Sequence, residues 1–140
     1  MSLVLDIPVL EGALVRLEPL SLIHSSELAE AVEEDRSAFG HTWVPHSADI
    51  DHYIGHQLQQ AQSGKLTPLV QIRLVDNRAV GCTAYWDPRA WPGRPHELCA
   101  VEIGWTWLAA SAQGTGINVE AKLLLLRHAF EVLVVRRGFD

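Results

Sequence analysis

A short turn with two glycines, Gln113-Gly114-Thr115-Gly116-Ile117-Asn118, has the residue types and spacing of a phosphate-binding loop. It leads into a leucine-rich run that is typical of a helix. The first amide N–H groups of a helix have no partner within the helix, and the helix dipole adds partial positive charge there. Gly114 and Gly116 carry no side chain that would keep an anion from the backbone, and Asn118 is a residue type that caps helices. The turn therefore predicts an anion site built mainly from backbone.

Three phosphate-binding motifs can be compared with this turn. The alternative is an ordinary connection between a strand and a helix, with no binding role. A nucleoside triphosphate loop needs Gly-Lys-Ser/Thr, but Ile117 follows Gly116. A dinucleotide loop needs a small residue where Val119 stands. The pattern Gln/Arg-x-x-Gly-x-Gly/Ala fits Gln113 and Gly116, with Asn118 in place of its last small residue. On these six residues alone, a plain connection capped by Asn118 is the simpler interpretation.

Alternating apolar residues predict the strands that position the turn. They are expected at 14–18, 69–75, 79–86 and 98–108, the middle two forming a hairpin. Simple alternation in the last strand puts four residues on one face: Val101, Ile103, Trp105 and Trp107. The other face then carries Glu102, Gly104 and Thr106. Three prolines and a glycine predict a loop at 87–96.

A period near 3.6 residues predicts three helices. Two begin near Ser21 and Asp49, which are good capping residues. The third, at 118–133, is apolar almost all round, so we expect it to be buried against the sheet. The order β-α-α-β-β-β-α is an α/β layout, and a chain of 140 residues predicts a single domain over 1–140.

Composition limits the classes of partner. A net charge of −6 argues against a broad nucleic-acid surface, which needs clustered Lys and Arg. The first residues lack a basic segment before an apolar run, and no window is apolar enough for a membrane helix. We therefore expect a cytoplasmic protein with no nucleic-acid or membrane partner. His52 and His56 have metal-ligand spacing, but they lie opposite the apolar face of their helix, so we expect no metal site.

Two runs resemble the GNAT acetyltransferase superfamily closely. The first is Val-Glu-Ile-Gly-Trp-Thr-Trp-Leu at 101–108, and the second is Ser-Ala-Gln-Gly-Thr-Gly-Ile-Asn-Val-Glu-Ala-Lys-Leu-Leu-Leu-Leu at 111–126. The segment Glu-Gly-Ala-Leu-Val-Arg-Leu-Glu-Pro-Leu at 11–20 resembles the first strand of the branch that includes the RimJ and RimL ribosomal-protein N-terminal acetyltransferases. The resemblance extends over residues 10 to 133 and is most specific in the last third.

The resemblance implies that acetyl-CoA is the co-substrate and that its acetyl group moves to a primary amine. The acceptor would be a protein N-terminus or a small amine. In this superfamily the pantetheine arm pairs with the strand before the turn, which implies backbone contacts from Trp105, Thr106, Trp107 and Leu108. The pyrophosphate would be bound by the turn residues Gln113, Gly114, Thr115, Gly116 and Asn118.

Two further residues take roles from the resemblance. Glu102 matches the strand glutamate of related enzymes and would accept the amine proton, directly or through water. Its alternative role is a solvated carboxylate on a sheet face. Trp43 lies in the region that borders the acceptor pocket in the family, which implies a substrate contact. The alternative for Trp43 is a loop anchor in the core.

The chain departs from the family pattern at its end. It stops before the last helix and the closing strands, and no tyrosine follows Tyr85 to protonate the leaving thiolate. The expected fold is thus a GNAT-like mixed sheet flanked by helices, without the C-terminal helix and closing strands. An unpaired sheet edge leaves self-association to form a homo-oligomer open. The alternative function is a non-catalytic remnant that binds CoA or a partner protein.

Overall fold

A computed structural model describes residues 5–134 of the chain. Five strands and three α-helices follow one another in the order β-β-α-α-β-β-β-α, which is the predicted order with one short strand added. Their bounds are β1 (Leu10–Glu11), β2 (Val15–Pro19), α1 (Ser25–Glu33), α2 (Ile50–Gln62), β3 (Leu66–Arg73), β4 (Arg78–Trp91), β5 (Arg94–Leu108) and α3 (Ile117–His128).

The strands form one sheet in the order β1-β2-β3-β4-β5, and each neighbouring pair is antiparallel. The predicted hairpin is formed by β3 and β4, which turn at residues 74–77. Asn77 adopts the left-handed conformation there, with φ of 56°. β5 lies at the edge of the sheet, so one side of its backbone has no strand partner within residues 5–134. The predicted α/β class is confirmed.

Helices pack on both faces of the sheet. On one face, the indole Nε1 of Trp107 in β5 donates to the hydroxyl of Tyr53 in α2 over 3.3 Å. On the other face, the hydroxyl of Tyr85 in β4 donates to the backbone carbonyl of Leu125 in α3. Cys82, three residues before Tyr85 along β4, pairs in register with Trp107 and so shares the α2 face. The sheet therefore lies between two helical layers.

The core is built from aliphatic residues of every layer. Leu28 of α1, Ile54 of α2 and Val15 of β2 are all fully buried. Burial of each such side chain contributes roughly 1.5–3 kcal/mol to folding. This packing fixes the strand ends and the start of α3, which carry the predicted site.

A bulge at Trp105 corrects the predicted faces of β5. Residues 82–84 of β4 are matched by residues 104–107 of β5, so β5 has one extra residue. Trp105 has φ of 57°, which breaks the regular pleat. Because side chains alternate along a strand, the extra residue puts Ile103 and Trp107 on opposite faces. The prediction that these two residues share a face is wrong.

The predicted loop at 87–96 is also wrong, because β4 and β5 continue through most of it as a long hairpin. β4 runs to Trp91 and β5 begins at Arg94, which leaves a two-residue turn. Gly93 supplies the left-handed conformation of that turn, with φ of 76°. Between Trp86 and Arg89 the pairing has one extra residue on the β4 side, and this irregularity accommodates Pro88, which has no N–H to donate.

α3 has one buried and one exposed face, so the predicted all-round burial is wrong. The stripe facing the sheet is buried and consists of Ile117, Ala121, Leu125 and His128. The other stripe is apolar but 44–64% exposed and consists of Val119, Leu123 and Leu126. A helix on a sheet buries only the side that faces the sheet. Within residues 5–134, no helix has both the length and the apolar character to cross a membrane.

Candidate active site

The turn before α3 presents a row of amide N–H groups that have no acceptor. The N–H groups of Gly114 through Val119, six in succession, make no hydrogen bond within residues 5–134. Gly114 and Gly116 are both left-handed, with φ of 73° and 92°, which glycine adopts without strain. The N–H of Gln113 donates to the carbonyl of Ala109 over 3.2 Å, so the row of open amides begins at Gly114. These amides, at the positive end of a helix dipole, suit an anion.

The polar side chains of the turn hold its shape. The Gln113 side-chain amide donates to the carbonyl of Leu108 over 3.0 Å. The Thr115 hydroxyl donates to the carbonyl of Ala112 over 2.6 Å. Both side chains therefore satisfy backbone acceptors of the connection from β5. The groups of the turn that remain open are backbone N–H groups.

Asn118 does not cap α3, which corrects the predicted cap. The helix begins at Ile117, and the cap position belongs to Gly116, which has no side chain to offer. The Asn118 side-chain oxygen is buried and has no hydrogen-bond partner within residues 5–134. A half-turn of the side-chain amide would put a donor at the same place. Asn118 is therefore a polar group that a bound ligand can satisfy.

Glu120 holds the start of α3 against the sheet, a role that its sequence context does not reveal. Its carboxylate accepts the backbone N–H groups of Ala13, Leu14 and Val15 at 3.0, 2.7 and 2.9 Å. Burial tends to raise the pKa of the Glu120 carboxyl, but the three donors outweigh burial and lower that pKa below its ordinary value. A side chain on Gly12 would lie 2.4 Å from this carboxylate and would have to displace it.

A groove of about 330 Å³ runs from the turn along the end of β5. We call it the β5 groove. Six of the nine predicted cofactor residues line it: Thr106, Trp107, Leu108, Gln113, Gly114 and Asn118. Ala38, Phe39 and Thr42, from the segment between α1 and α2, form the opposite wall. Thr115 faces a separate cavity beside Arg73.

An aromatic pocket of about 350 Å³ adjoins the β5 groove and shares Thr42, Thr106 and Trp107 with it. Its remaining lining residues are all aromatic: Trp43, Tyr53, Trp86 and Trp105. The predicted substrate residue Trp43 thus lies beside predicted cofactor residues. Burial raises the pKa of the Tyr53 hydroxyl well above its ordinary value, so Tyr53 is protonated at neutral pH.

The bulge at Trp105 builds one wall of the aromatic pocket. The Trp105 side chain is 47% exposed and meets Trp86 edge to face, with ring centroids 6.3 Å apart. A side chain on Gly104 would lie 2.9 Å from the Trp86 indole nitrogen, so glycine makes room for that ring. The neighbouring Trp107 is instead buried and meets Phe39 edge to face at 6.1 Å.

Glu102, the predicted base, lies next to this pocket but outside its lining. It pairs in register with Trp86 and therefore points to the same face of the sheet. Its side chain is 49% exposed, and one carboxylate oxygen is 3.8 Å from an Arg89 guanidinium nitrogen. The described geometry gives Glu102 access to the pocket through solvent.

A third cavity, of about 590 Å³, lies beyond the aromatic pocket, and sequence patterns did not reveal it. It shares Trp86 and Trp105 with that pocket. Its other walls come from the end of α2 and from the β4–β5 hairpin, and they include His56, Lys65 and Asp87. His52 and His56 are exposed on α2, as predicted. The three spaces together form a cleft from the α3 turn to the hairpin.

The sequence profile of the acetyltransferase (GNAT) domain matches residues 15–138, most of the chain. The chain belongs to this family. The predicted resemblance to the GNAT superfamily is therefore confirmed. A search of curated protein sequences gave no significant match.

Solved structures of acetyltransferases share the fold of this GNAT domain. A GCN5-related N-acetyltransferase from Brucella melitensis superposes with a TM-score of 0.74 at 22% identity, over 91% of this chain and 57% of that protein. The Salmonella typhimurium enzyme that modifies the N-terminal serine of ribosomal protein L7/L12 gives 0.69 at 17%, over 94% and 70%. Mycobacterium smegmatis RimJ, in complex with CoA-disulfide, gives 0.64 at 20%, over 84% and 56%.

The neighbours include RimL- and RimJ-type proteins, as the predicted branch implies. At these identities the likeness is one of fold. The chain spans less than two thirds of the Brucella and Mycobacterium proteins.

Proposed function

We propose that this GNAT domain binds acetyl-CoA and transfers the acetyl group to a primary amine. The observation that carries the proposal is the row of six unshared amides from Gly114 to Val119 at the head of the β5 groove. Such a row, at a helix N-terminus without obstructing side chains, suits a diphosphate. The unpartnered side-chain amide of Asn118 adds a further polar contact.

The cofactor's arm follows the end of β5 in this proposal. β5 is an edge strand within residues 5–134, so its outer N–H and C=O groups are open to an extended ligand. Trp105, Thr106, Trp107 and Leu108 supply this backbone. The thioester then lies where the β5 groove adjoins the aromatic pocket, at Thr42, Thr106 and Trp107.

Transfer joins the amine nitrogen to the thioester carbonyl carbon while the carbon–sulfur bond breaks. The nitrogen loses a proton, and the sulfur leaves as the CoA thiol after taking one up. An amine near neutral pH is mostly protonated, so a proton acceptor is needed. We assign this role to Glu102, the register partner of Trp86, whose exposed carboxylate acts through water.

The acceptor amine enters the aromatic pocket past Trp43. The RimL-type neighbour acts on a protein N-terminus, and small amines are the other acceptor class that the resemblance implies. A second candidate function is CoA binding without turnover. It is favoured by the position of Glu102 outside the pocket lining and by its contact with Arg89.

Calorimetry with acetyl-CoA, followed by release of CoA thiol with a panel of amines, separates these functions. We expect binding and amine-dependent turnover, and we expect Glu102→Gln to keep the binding while turnover falls about 100-fold or more. Binding without turnover by the wild-type protein would support the second candidate. The absence of binding by folded protein would contradict both.

A further inference from the structure

The tryptophans of this chain are concentrated around one cavity. Of the five in the sequence, four line the aromatic pocket: Trp43, Trp86, Trp105 and Trp107. Trp43, Trp86 and Trp105 are 69%, 37% and 47% exposed. Exposed aromatic rings gathered at one concave surface are typical of binding sites. Packing in the core accounts for Trp107 alone.

The rings are arranged as walls around an open space. Trp86 and Trp105 meet edge to face, and Trp43 and Tyr53 form a second pair with centroids 6.3 Å apart. Gly104 makes room for the Trp86 ring, and the bulge turns Trp105 toward it. The backbone of β5 thus holds one of the two pairs.

The lining carries no formal charge. Besides the five aromatic residues, the described lining contains only Thr42 and Thr106. A volume of about 350 Å³ lies at the small end of the range for ligand pockets, so it suits one ring and a short arm. Edges and faces of aromatic side chains favour another aromatic ring over an aliphatic chain. They also attract an ammonium group before it loses its proton.

The third cavity offers no excess of negative charge to a polycation. Lys65 and His56 lie in its walls, against one carboxylate at Asp87. A second positive charge on the acceptor would therefore find no net negative charge there. An acceptor with one amine and one flat apolar group needs none.

We propose that the acceptor is an arylalkylamine, a primary amine joined to an aromatic ring by a short chain. This inference rests on the proposed function, because it names the substrate class of the same site. The ring lies between the Trp86–Trp105 pair and the Trp43–Tyr53 pair. Its amine then points toward the junction with the β5 groove at Thr42 and Thr106.

Three probe amines test the substrate class: phenethylamine, cyclohexylethylamine and n-butylamine. Dissociation constants are measured by calorimetry with the full chain, and kcat/KM is measured with acetyl-CoA. We expect phenethylamine to exceed n-butylamine about tenfold or more in both quantities, and to exceed cyclohexylethylamine about threefold. Equal or weaker binding of phenethylamine relative to either probe would overturn the inference.

A pair of tryptophan variants locates the effect. Trp86→Ala is expected to remove the preference for phenethylamine, while Trp91→Ala, near the hairpin turn and outside the pocket lining, keeps it. Circular dichroism checks that both variants fold. A preference that survives Trp86→Ala would overturn the proposed location. If no amine is acetylated, the proposed function fails, but the binding order of the three probes still decides the substrate class.

Discussion

The two proposed ligand sites at the ends of the cleft are built from different parts of the polypeptide. The proposed phosphate site consists of backbone: six N–H groups, two of them from glycines. The side chains of Gln113 and Thr115 bond to neighbouring carbonyls instead. The proposed acceptor site consists of side chains: five aromatic rings, two of them positioned by the β5 bulge and by the absence of a side chain on Gly104. A site made of backbone amides tolerates most side-chain substitutions unless the new side chain enters the site. Binding at an aromatic site depends on the position of each ring. This difference predicts which substitutions affect which ligand.

The largest effect is expected from a charge placed among the open amides. A side chain on Gly114 would meet nothing within 4 Å. The φ of 73° strains any residue other than glycine there, but aspartate is among the residue types that adopt it. A carboxylate near a diphosphate costs roughly 3 kcal/mol at the effective dielectric of a protein surface. We expect the acetyl-CoA dissociation constant to rise about 100-fold by calorimetry. Gly114→Asn, which has the same shape without the charge and also tolerates φ of 73°, is the control. Similar losses in both variants would mean that charge is not the cause.

Glu120→Gln tests how the phosphate site is held. An amide offers one oxygen where the carboxylate accepts three N–H groups, from Ala13, Leu14 and Val15. We expect the free energy of unfolding to fall by about 1–2 kcal/mol at pH 7 in urea denaturation. Gln113→Ala, which removes a single bond to Leu108, serves as the milder comparison.

The contribution of Glu120 depends on pH with a definite sign. Its pKa is lower in the folded than in the unfolded chain, so its stabilisation is complete above the unfolded pKa, near 4.5. The stabilisation is lost as pH falls through the folded pKa. The difference in stability between wild type and Glu120→Gln should therefore shrink below about pH 4.5. A difference that is constant from pH 7 to pH 3 would contradict the assigned hydrogen bonds.

Gly104→Ala tests the acceptor site. The new methyl group would lie 2.9 Å from the Trp86 indole nitrogen and must displace that ring. We expect the KM for the acceptor amine to rise about tenfold while the acetyl-CoA dissociation constant changes by less than about twofold. Gly55→Ala on α2, where a methyl group meets nothing within 4 Å, is the matched control. Loss of acetyl-CoA affinity in Gly104→Ala would mean that the two sites are not independent.

The smallest effect is expected from Thr115→Val. Its hydroxyl bonds the carbonyl of Ala112, and its amide N–H belongs to the open row. The substitution keeps the amide, so we expect the acetyl-CoA dissociation constant to change by no more than about threefold. A tenfold change in calorimetry would show that side chains take part in the phosphate site.

The same division explains what the sequence could predict. The backbone shape of the turn was predictable because its parts are local: two glycines at left-handed positions followed at once by a helix. The order of the elements and the β3–β4 hairpin were predictable from short-range patterns for the same reason. The placement of Asn118 and the start of α3 were missed by one or two residues, because Gly116 takes the cap position.

The acceptor site was predictable only in part. Trp43 was expected beside the acceptor from the family resemblance, but the aromatic pocket depends on the bulge at Trp105, which alternation cannot reveal. The long β4–β5 hairpin was read as a loop because its prolines lie where strand pairing is irregular. Glu120 was missed because its partners at Ala13 to Val15 are about a hundred residues away in sequence.

The most direct test of the account is a titration of ¹⁵N-labelled protein with acetyl-CoA, followed by amide NMR. We predict that the largest shift changes fall on the six amides from Gly114 to Val119, followed by those of Thr106 to Leu108 along β5. Gly114→Asp should remove both sets at the same cofactor concentration. Saturable binding that leaves the Gly114–Val119 amides unchanged would contradict the central claim that this backbone row holds the diphosphate.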